Sequence, residues 1–502
     1  MDRRDFLKSC AIGAGGLLLS VANGTKVFGA DEKNRPNILW IIAEDLSLEI
    51  GCYGEKLVRT PNIDRLAGQG TRYTNAFVTC PVCSPSRSAF MTGMYQTSIG
   101  CHQHRSHRYE DYRLPEPVKV ITEYFRQAGY FTSNCAGLNW DKPGKTDFNF
   151  TCEKPFDGTD WRQRGQGQPF FSQINFSETH RVFRRDPDNP IDHNKVTLPP
   201  YYPDHPLARR DWADYLEFIQ ILDKKVGKVL ERLEEDGLAD NTIVLFFGDH
   251  GRAHVRDKQF LYDGGIHVPM IIRWPGHVEP AAVADDMVST IDFAPTFMKL
   301  VGIEPPEHLQ GQVFMGAGAV KRDHIISARD RCDETVDRIR CVRTKRYKYI
   351  RNFMPERPYK QANLYKYHRY PVWTLLDVLH EQGKLTPEQE LFMAETRPAE
   401  ELYDLSDDPH EVNNLADDPK MRGVMERMRK ILDIWIVKTK DQGEIPEDSE
   451  EGSKYTREFL ISYYGKEWKE QRHLPEKISK VQYIKFWEKE LLGSVCEKTE
   501  EK

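Results

Sequence analysis

The sequence predicts an α/β fold with a mostly parallel sheet between helices, followed by a smaller C-terminal α+β subdomain with an antiparallel sheet. Residues 37–42 and 242–247 are almost entirely apolar, as expected for parallel strands buried on both faces. Helical patterns alternate with the strand patterns, which favours a parallel sheet. The 502 residues suffice for one large domain and a smaller one.

Other elements follow from their local patterns. Thr60 before Pro61 predicts a helix start, and residues 118–128 and 130–135 predict a helix and a strand. The clearest helix covers residues 210–236, where apolar side chains recur at three- and four-residue steps.

The C-terminal region has a different pattern. Residues 340–350 alternate like two strands joined by a turn, and residues 402–405 predict another strand. From residue 444 the chain is charged with interleaved aromatic residues, which predicts helices packed on the outside. These aromatic residues are Tyr463, Tyr464, Trp468, Tyr483 and Trp487. We therefore expect a catalytic domain over residues 36–335 and a C-terminal subdomain with a helical tail over residues 336–502.

Residues 1–30 have the features of an export signal. Arg3 and Arg4 form a twin-arginine motif, and residues 11–22 are apolar and small. That run is short for a bilayer span, so we expect a cleaved signal, a periplasmic or extracellular protein and no stable membrane insertion. The net charge of −6 is small and negative, so it does not suggest a nucleic-acid partner.

The chain has ten cysteines. Apart from Cys10 and Cys83, an oxidising compartment permits disulfides among them, but buried free thiols are an equally good interpretation. They are Cys52, Cys80, Cys101, Cys135, Cys152, Cys332, Cys341 and Cys496.

Residues 83–93 carry the strongest chemical signal. Ser84 and Pro85 suit the start of a helix and Gly93 suits its end, so we expect a helix over residues 85–92. Cys83 would then lie among unpaired backbone N–H groups that favour an anion, and Arg87 would add a fork of donors. Cys80 and Cys83 also form a C-x-x-C, which suits a redox pair, a disulfide or half of a metal site.

Each of the two apolar strands ends in a pair of possible metal ligands. Glu44 and Asp45 follow the first strand, and Asp249 and His250 follow the second. Because sites form at the carboxyl ends of strands in such sheets, the four side chains could meet around one hard divalent cation. Either pair alone would equally suit a helix cap or a loop salt bridge.

The run Cys-Ser-Pro-Ser-Arg through Thr-Gly at residues 83–93 resembles the type I sulfatases, in which the motif marks a cysteine oxidised to Cα-formylglycine. This resemblance implies an alkaline-phosphatase-like fold, a formylglycine formed from Cys83 and a formylglycine-generating maturation enzyme as partner. It also implies one Ca²⁺ per chain, bound by residue 83, Glu44, Asp45, Asp249 and His250. Glu44 replaces the first aspartate of the family's acidic pair.

The resemblance extends to three further positions. Residues 169–176 resemble the strand before a sulfate-contacting histidine, which here is His180, and Lys258 matches a sulfate-binding lysine. Residues 145–150 resemble a bacterial variant in which Lys145 contacts the sulfate. Asp147 then replaces the family's usual histidine, and Lys142 is a rival for the lysine role.

A loop rich in histidine and arginine follows the motif helix. It holds His102, His104, Arg105, His107 and Arg108, and such a loop suits a polyanionic sugar. We predict that His104, Arg105 and Asp147 contact substrate; the alternative is a solvated loop.

Within the family the sequence resembles the heparan N-sulfatases, through its Cys-Ser-Pro-Ser-Arg form and residues 207–211 and 401–415. The implied function is hydrolysis of sulfate esters or sulfamates in sulfated glycans, including glucosamine N- or O-sulfate. Arg87, Lys145 and Lys258 would neutralise the sulfate charge, and His180 would protonate the leaving group. The alternatives are a phosphate or phosphonate monoester hydrolase and a non-catalytic glycan-binding protein.

Overall fold

The computed structural model describes residues 35–107, 110–445, 447, 462 and 478–493. The main sheet has eight strands in the order β4-β3-β5-β1-β6-β7-β2-β8. Neighbours from β3 to β6 are parallel, as are β2 and β8, while β4 and β7 run antiparallel to their neighbours. The strands are β1 Asn37–Ala43, β2 Thr71–Phe77, β3 Phe131–Ala136, β4 Asn139–Pro143, β5 Phe170–Phe176, β6 Thr242–Gly248, β7 Met270–Arg273 and β8 Ala282–Ser289.

Helices pack around this sheet, as the alternating pattern predicts. Helix α1 packs on α4, and α2 packs with α3 and α6. Trp40 of β1 is fully buried in edge-to-face contact with Phe90 of α2 and Phe297 of α6, so this second group lies over the centre of the sheet. The helices are α1 Pro61–Gly68, α2 Cys83–Thr92, α3 Ile121–Gln127, α4 Pro206–Glu235, α5 Asp263–Ile266 and α6 Phe293–Leu300.

Three predicted helix starts are wrong. Helix α3 begins at Ile121 rather than residue 118, since Val120 is still extended. Helix α4 begins at Pro206 rather than residue 210, because the His205 ring accepts a hydrogen bond from the Leu207 N–H and caps the extra turn. Helix α2 begins at Cys83, so Ser84 is not its N-cap. The Ser84 hydroxyl instead accepts from the Arg105 N–H at 2.8 Å, which ties the following loop to the helix.

A second sheet of four antiparallel strands has the order β12-β11-β10-β9. It confirms the antiparallel C-terminal sheet, and its first strand begins before the expected boundary at residue 335. The strands are β9 Ile325–Arg329, β10 Ile339–Arg343, β11 Tyr347–Asn352 and β12 Glu400–Asp404. The helices of this region are α7 Leu364–Arg369, α8 Pro371–Glu381, α9 Pro387–Glu390, α10 Arg422–Thr439 and α11 Lys480–Leu492.

Helix α11 is the described part of the tail. It packs against α8 and α4, with Tyr483, Ile484 and Trp487 buried. The Tyr483 hydroxyl donates to the Tyr367 carbonyl of α7 at 2.9 Å. The remaining tail aromatics, the export signal over residues 1–30 and Cys496 lie outside the described residues.

Among the described residues, no helix combines the length and apolar character needed to cross a membrane. The eight cysteines in that part of the chain are all free thiols. Cys80 packs with Val82 and Cys332, apart from the surroundings of Cys83, so the structure does not support a Cys80–Cys83 disulfide.

Candidate active site

The ends of β1 and β6 bring the predicted acidic pairs together. These parallel neighbours are paired with Ala43 opposite Gly248. Asp45 and Asp249 therefore emerge at the same edge, where the Asp45 N–H donates to Asp249 Oδ1 at 3.0 Å. Both carboxylates are fully buried. The sheet thus joins residues that lie two hundred positions apart in the chain.

Helix α2 begins at this same edge. Cys83 Sγ lies 3.2 Å from His250 Nε2, and His250 Nε2 lies 3.1 Å from Asp45 Oδ1. The possible ligand atoms of Asp45, Cys83 and His250 all lie within 4.8 Å of one another. Asp249 Oδ1 is 3.7 Å from the His250 ring. Two carboxylates, an imidazole and residue 83 form a donor set that fits one divalent cation.

The electrostatics show how strongly this cluster attracts positive charge. Burial alone would lower the pKa of His250, but Asp249, Asp45 and Cys83 outweigh it and raise the pKa to about 10. Burial likewise opposes the charge on Asp45, yet Lys258, His180 and His250 hold the pKa of its carboxyl well below the usual value. The carboxylates of the cluster are therefore ionised, which is the form that binds a cation.

Glu44 lies beside this group and contacts two cations. Its Oε2 accepts from Lys145 Nζ at 2.8 Å, and its Oε1 is 3.9 Å from the Arg87 guanidinium. The structure therefore places Glu44 outside the Asp45–Cys83–His250 triad. The rival Lys142 is exposed on β4, so the geometry favours Lys145.

Arg87 and Lys258 complete the ring of charge. Arg87 is buried, and its Nε donates to Asp249 Oδ2 at 3.0 Å while Nη2 lies 2.9 Å from the same oxygen. Its Nη1 donates to Asn175 Oδ1 at 2.7 Å. Lys258 Nζ donates to both Asp45 oxygens at 2.8 and 3.0 Å and lies 3.8 Å from Cys83 Sγ. Although burial raises the pKa of the Cys83 thiol, Lys145, Lys258 and His250 outweigh it and lower that pKa.

A cavity of about 340 Å³ opens over Cys83. The predicted site residues on its wall are Cys83, His104, Arg105, His180 and Lys258; Arg181, Gln259, Asp333, Tyr365 and Arg369 complete it. A larger cleft of about 840 Å³ reaches the site at Glu44 and Lys145. We take the smaller cavity as the reaction site, because it alone of these two contains Cys83.

His180 lies in this cavity with a defined ring orientation. Its Nδ1 is 2.8 Å from the Arg181 carbonyl, which can only accept, so Nδ1 carries a proton. Burial lowers the pKa of His180 to about 4 despite the nearby Asp45 carboxylate. The ring of Tyr365 lies beside it, with the two centroids 5.9 Å apart.

The loop after α2 is not a solvated loop at His102 and His104, which are both buried. His104 Nδ1 lies 3.1 Å from Asp333 Oδ1. Arg105 Nε lies 3.6 Å from Asp147, which is also 3.7 Å from Lys145 Nζ. The structure thus brings the three predicted substrate contacts to the site's rim; Arg108 lies outside the described residues.

Sequence reasoning missed Asn175, Gln259 and Asp333. Asn175 could have been found from the sequence, since it is a polar residue near the end of a fully buried strand next to β1. No sequence pattern indicated Asp333 or Gln259, because loops bring them to the cavity from distant parts of the chain.

Comparisons with known proteins agree with this geometry. Residues 36–303 match the Sulfatase family. The chain is 36% identical over 467 residues to an ulvan-active sulfatase of Formosa agariphila, covering 82% of this chain and 76% of that protein. It is 25% identical over 475 residues to the N-sulphoglucosamine sulphohydrolase of Homo sapiens, covering 83% and 92%.

A comparison of folds also finds a sulfatase. The solved structure of a 2-O GAG sulfatase matches with a TM-score of 0.58 at 22% identity, covering 82% of this chain and 94% of that one. At that identity the likeness concerns the fold alone. It confirms the expected alkaline-phosphatase-like architecture.

Proposed function

Since this chain belongs to the sulfatase family and is a sulfuric ester hydrolase, we propose that it cleaves sulfate ester or sulfamate groups from sulfated glycans through residue 83. The names of two relatives support a glycan substrate, one acting on ulvan and one on N-sulphoglucosamine. Glucosamine N- or O-sulfate is the first substrate type to test. The likeness to the human sulphohydrolase extends over most of both chains.

One observation carries this proposal: Cys83 lies at the start of α2, 3.2 Å from His250 and 3.8 Å from Lys258. A formylglycine at this position would supply a hydrated aldehyde as nucleophile, with Ca²⁺ held by Asp45, Asp249 and His250 as a Lewis acid. The donor set described above fits this ion, and Glu44 would lie next to it.

The cations of the site are suited to a sulfate group. Arg87, Lys145 and Lys258 converge on residue 83 from three different elements and would neutralise the charge on the sulfate oxygens. They are pre-oriented by Asp249, Glu44 and Asp45, so little reorganisation is needed when the anion binds.

His180 is the proposed acid for the departing oxygen or nitrogen. Because Nδ1 donates to the Arg181 carbonyl, the proton must leave from Nε2 of the imidazolium. Burial disfavours that charged form and Asp45 favours it. Protonating the leaving group matters most when that group is a sugar alcohol rather than an acidic phenol.

The decisive experiment compares hydrolysis of an aryl sulfate with that of the matching aryl phosphate, in wild type and in Cys83→Ala. We expect sulfate turnover that Cys83→Ala abolishes. A phosphate preference would favour the phosphomonoesterase alternative. Retained heparin binding with an unmodified Cys83 peptide, shown by mass spectrometry, would favour the non-catalytic alternative. Defined heparin disaccharides then identify the sulfate that leaves.

Export and maturation complete the proposal. The twin-arginine motif supports export of the folded protein to the periplasm or beyond, so a formylglycine-generating enzyme would act on Cys83 in the cytoplasm first. Cell fractionation tests the destination, and loss of the formylglycine peptide in a strain without that enzyme tests the partner.

A further inference from the structure

One wall of the Cys83 cavity takes no part in the chemistry proposed above. It is formed by His104 and Asp333, whose side chains are 5% and 4% exposed. His104 Nδ1 lies 3.1 Å from Asp333 Oδ1. A buried carboxylate and imidazole in this arrangement fix the orientation of the ring and the position of its proton.

Surrounding contacts hold the pair rigidly. Asp333 Oδ2 accepts from Gln259 Nε2 at 2.8 Å, so both carboxylate oxygens are engaged. The backbone N–H of His104 donates to the Arg331 carbonyl at 2.9 Å. The next residue, Arg105, donates from its N–H to Ser84 on α2. The ring is therefore fixed relative to the helix that begins with Cys83.

The contacts also decide which nitrogen of His104 carries the proton. An ionised carboxylate can only accept, so the Asp333 contact requires Nδ1–H. The Asp333 backbone N–H lies 3.3 Å from the same nitrogen, but the carboxylate contact is shorter and charge-assisted. Burial lowers the pKa of His104 to about 4, so the ring is neutral near pH 7 and carries only this one proton.

Nε2 of His104 is consequently a hydrogen-bond acceptor. It is buried, and within the described part of the chain it has no hydrogen-bond partner. The charged nitrogens of Lys258, Arg105 and Arg181 on the same cavity wall are all donors. The cavity wall thus combines donors suited to sulfate oxygens with the fixed acceptor Nε2 of His104, which sulfate oxygens cannot satisfy.

We propose that His104 Nε2 accepts a hydrogen bond from a free hydroxyl group of the sulfated sugar and thereby selects against sugars that carry a second sulfate at that position. A sulfate placed there would set its oxygens against the lone pair and leave Nε2 unpaired. This inference rests on the proposed function, because it concerns the sugar that the sulfate leaves. His104 acts here through an acceptor atom rather than through positive charge.

The test uses the sulfated disaccharide that wild type hydrolyses best. Its analogues are deoxygenated or sulfated at one neighbouring hydroxyl at a time, and an aryl sulfate, which lacks sugar hydroxyls, is the reference substrate. We expect wild type to lose about 100-fold in kcat/KM when one particular hydroxyl is removed or sulfated.

Three variants assign that dependence to His104. In His104→Phe, the loss of kcat/KM on the parent disaccharide should exceed the loss on aryl sulfate by about 100-fold. His104→Gln, whose side-chain oxygen can take the place of Nε2, should recover part of this difference. Asp333→Asn lets the amide donate to Nδ1 and moves the ring proton to Nε2, so its preference for the free hydroxyl should be lost.

The inference is overturned if wild type treats all the analogues alike, or if His104→Phe and Asp333→Asn lose the same factor on disaccharide and aryl sulfate. Melting curves check that the variants fold; if His104→Phe does not, the analogue series and the other two variants decide. Failure of wild type to release sulfate from any aryl sulfate or sulfated disaccharide would instead overturn the proposed function, so the two failures are distinct.

Discussion

The Arg87 guanidinium forms an ion pair with Asp249, in which Nε donates to Oδ2 at 3.0 Å and Nη2 lies 2.9 Å from the same oxygen. Both side chains are almost completely buried. Burial opposes the charge on each group, but their mutual attraction raises the pKa of Arg87 and contributes to lowering that of Asp249. The pair therefore stabilises the strand end that also carries His250.

Replacing Arg87 with Met should leave Asp249 as a buried carboxylate without this partner. We expect the free energy of unfolding to fall by about 3–5 kcal/mol, measured by urea denaturation. The control is Arg65→Met, since Arg65 pairs with Glu234 where the side chains are 38% and 46% exposed. That change should cost less than about 1 kcal/mol. Equal losses would show that the buried pair contributes no more than the exposed one.

Calcium should stabilise the protein through Asp45. A cation that binds only the folded state at 100 times its Kd adds about 2.7 kcal/mol, which appears as a rise in Tm over the chelated protein. Asp45→Asn should remove this rise. Asp285→Asn, on a surface carboxylate that pairs with Lys345, should keep it. If calcium leaves the Tm of wild type unchanged, the proposed metal site is wrong.

His180→Gln should make the reaction depend more steeply on the leaving group. The loss in kcat should reach about 100-fold or more for a sugar sulfate and be much smaller for a nitrophenyl sulfate. A series of aryl sulfates with phenols of different acidity measures this slope. Tyr365→Phe keeps the aromatic ring beside His180 and serves as the control. An unchanged slope in His180→Gln would rule out its role as the acid.

Glu334 should make the fold less stable as pH rises. Burial and Asp333 raise the pKa of Glu334 to about 7, although the Leu364 N–H opposes this shift. An unfolded glutamate titrates near pH 4.3, so between about pH 4 and 7 the folded state binds more protons and stability falls with rising pH.

Glu334→Gln removes this dependence and still accepts from the Leu364 N–H. Its stability relative to wild type should rise by about 2–3 kcal/mol from pH 5 to pH 8. Glu304→Gln, at a carboxylate that is 80% exposed, should show no such trend. The same trend in both variants would mean that Glu334 is not the titrating group.

The sequence was most informative where local pattern and function coincide. The runs that form β1 and β6 are buried on both faces, and the acidic and histidine residues after them meet because parallel neighbours end at one edge. Local pattern also predicted a helix after Cys83. It failed for the role of Ser84, because a tertiary contact with Arg105 replaces the expected cap.

The sequence did not predict the cavity residues that distant loops contribute. Asp333 meets His104 across 229 positions, and no periodicity connects them. The contact between Glu44 and Lys145 was likewise not predictable, because the pattern indicated Glu44 only as a metal ligand beside Asp45. Sequence thus indicates which side chains carry chemistry more readily than it indicates how they divide into subsites.

Helix α11 has a consequence for the order in which this enzyme is assembled. Its Tyr483 hydroxyl bonds to the carbonyl of Tyr367 in α7, and α7 supplies Tyr365 and Arg369 to the Cys83 cavity. That wall of the cavity therefore lacks this hydrogen bond until the ribosome has translated Lys480–Leu492. A polypeptide arrested before that point would contain every residue of the metal cluster. Its substrate cavity would nevertheless lack the contact between α7 and α11.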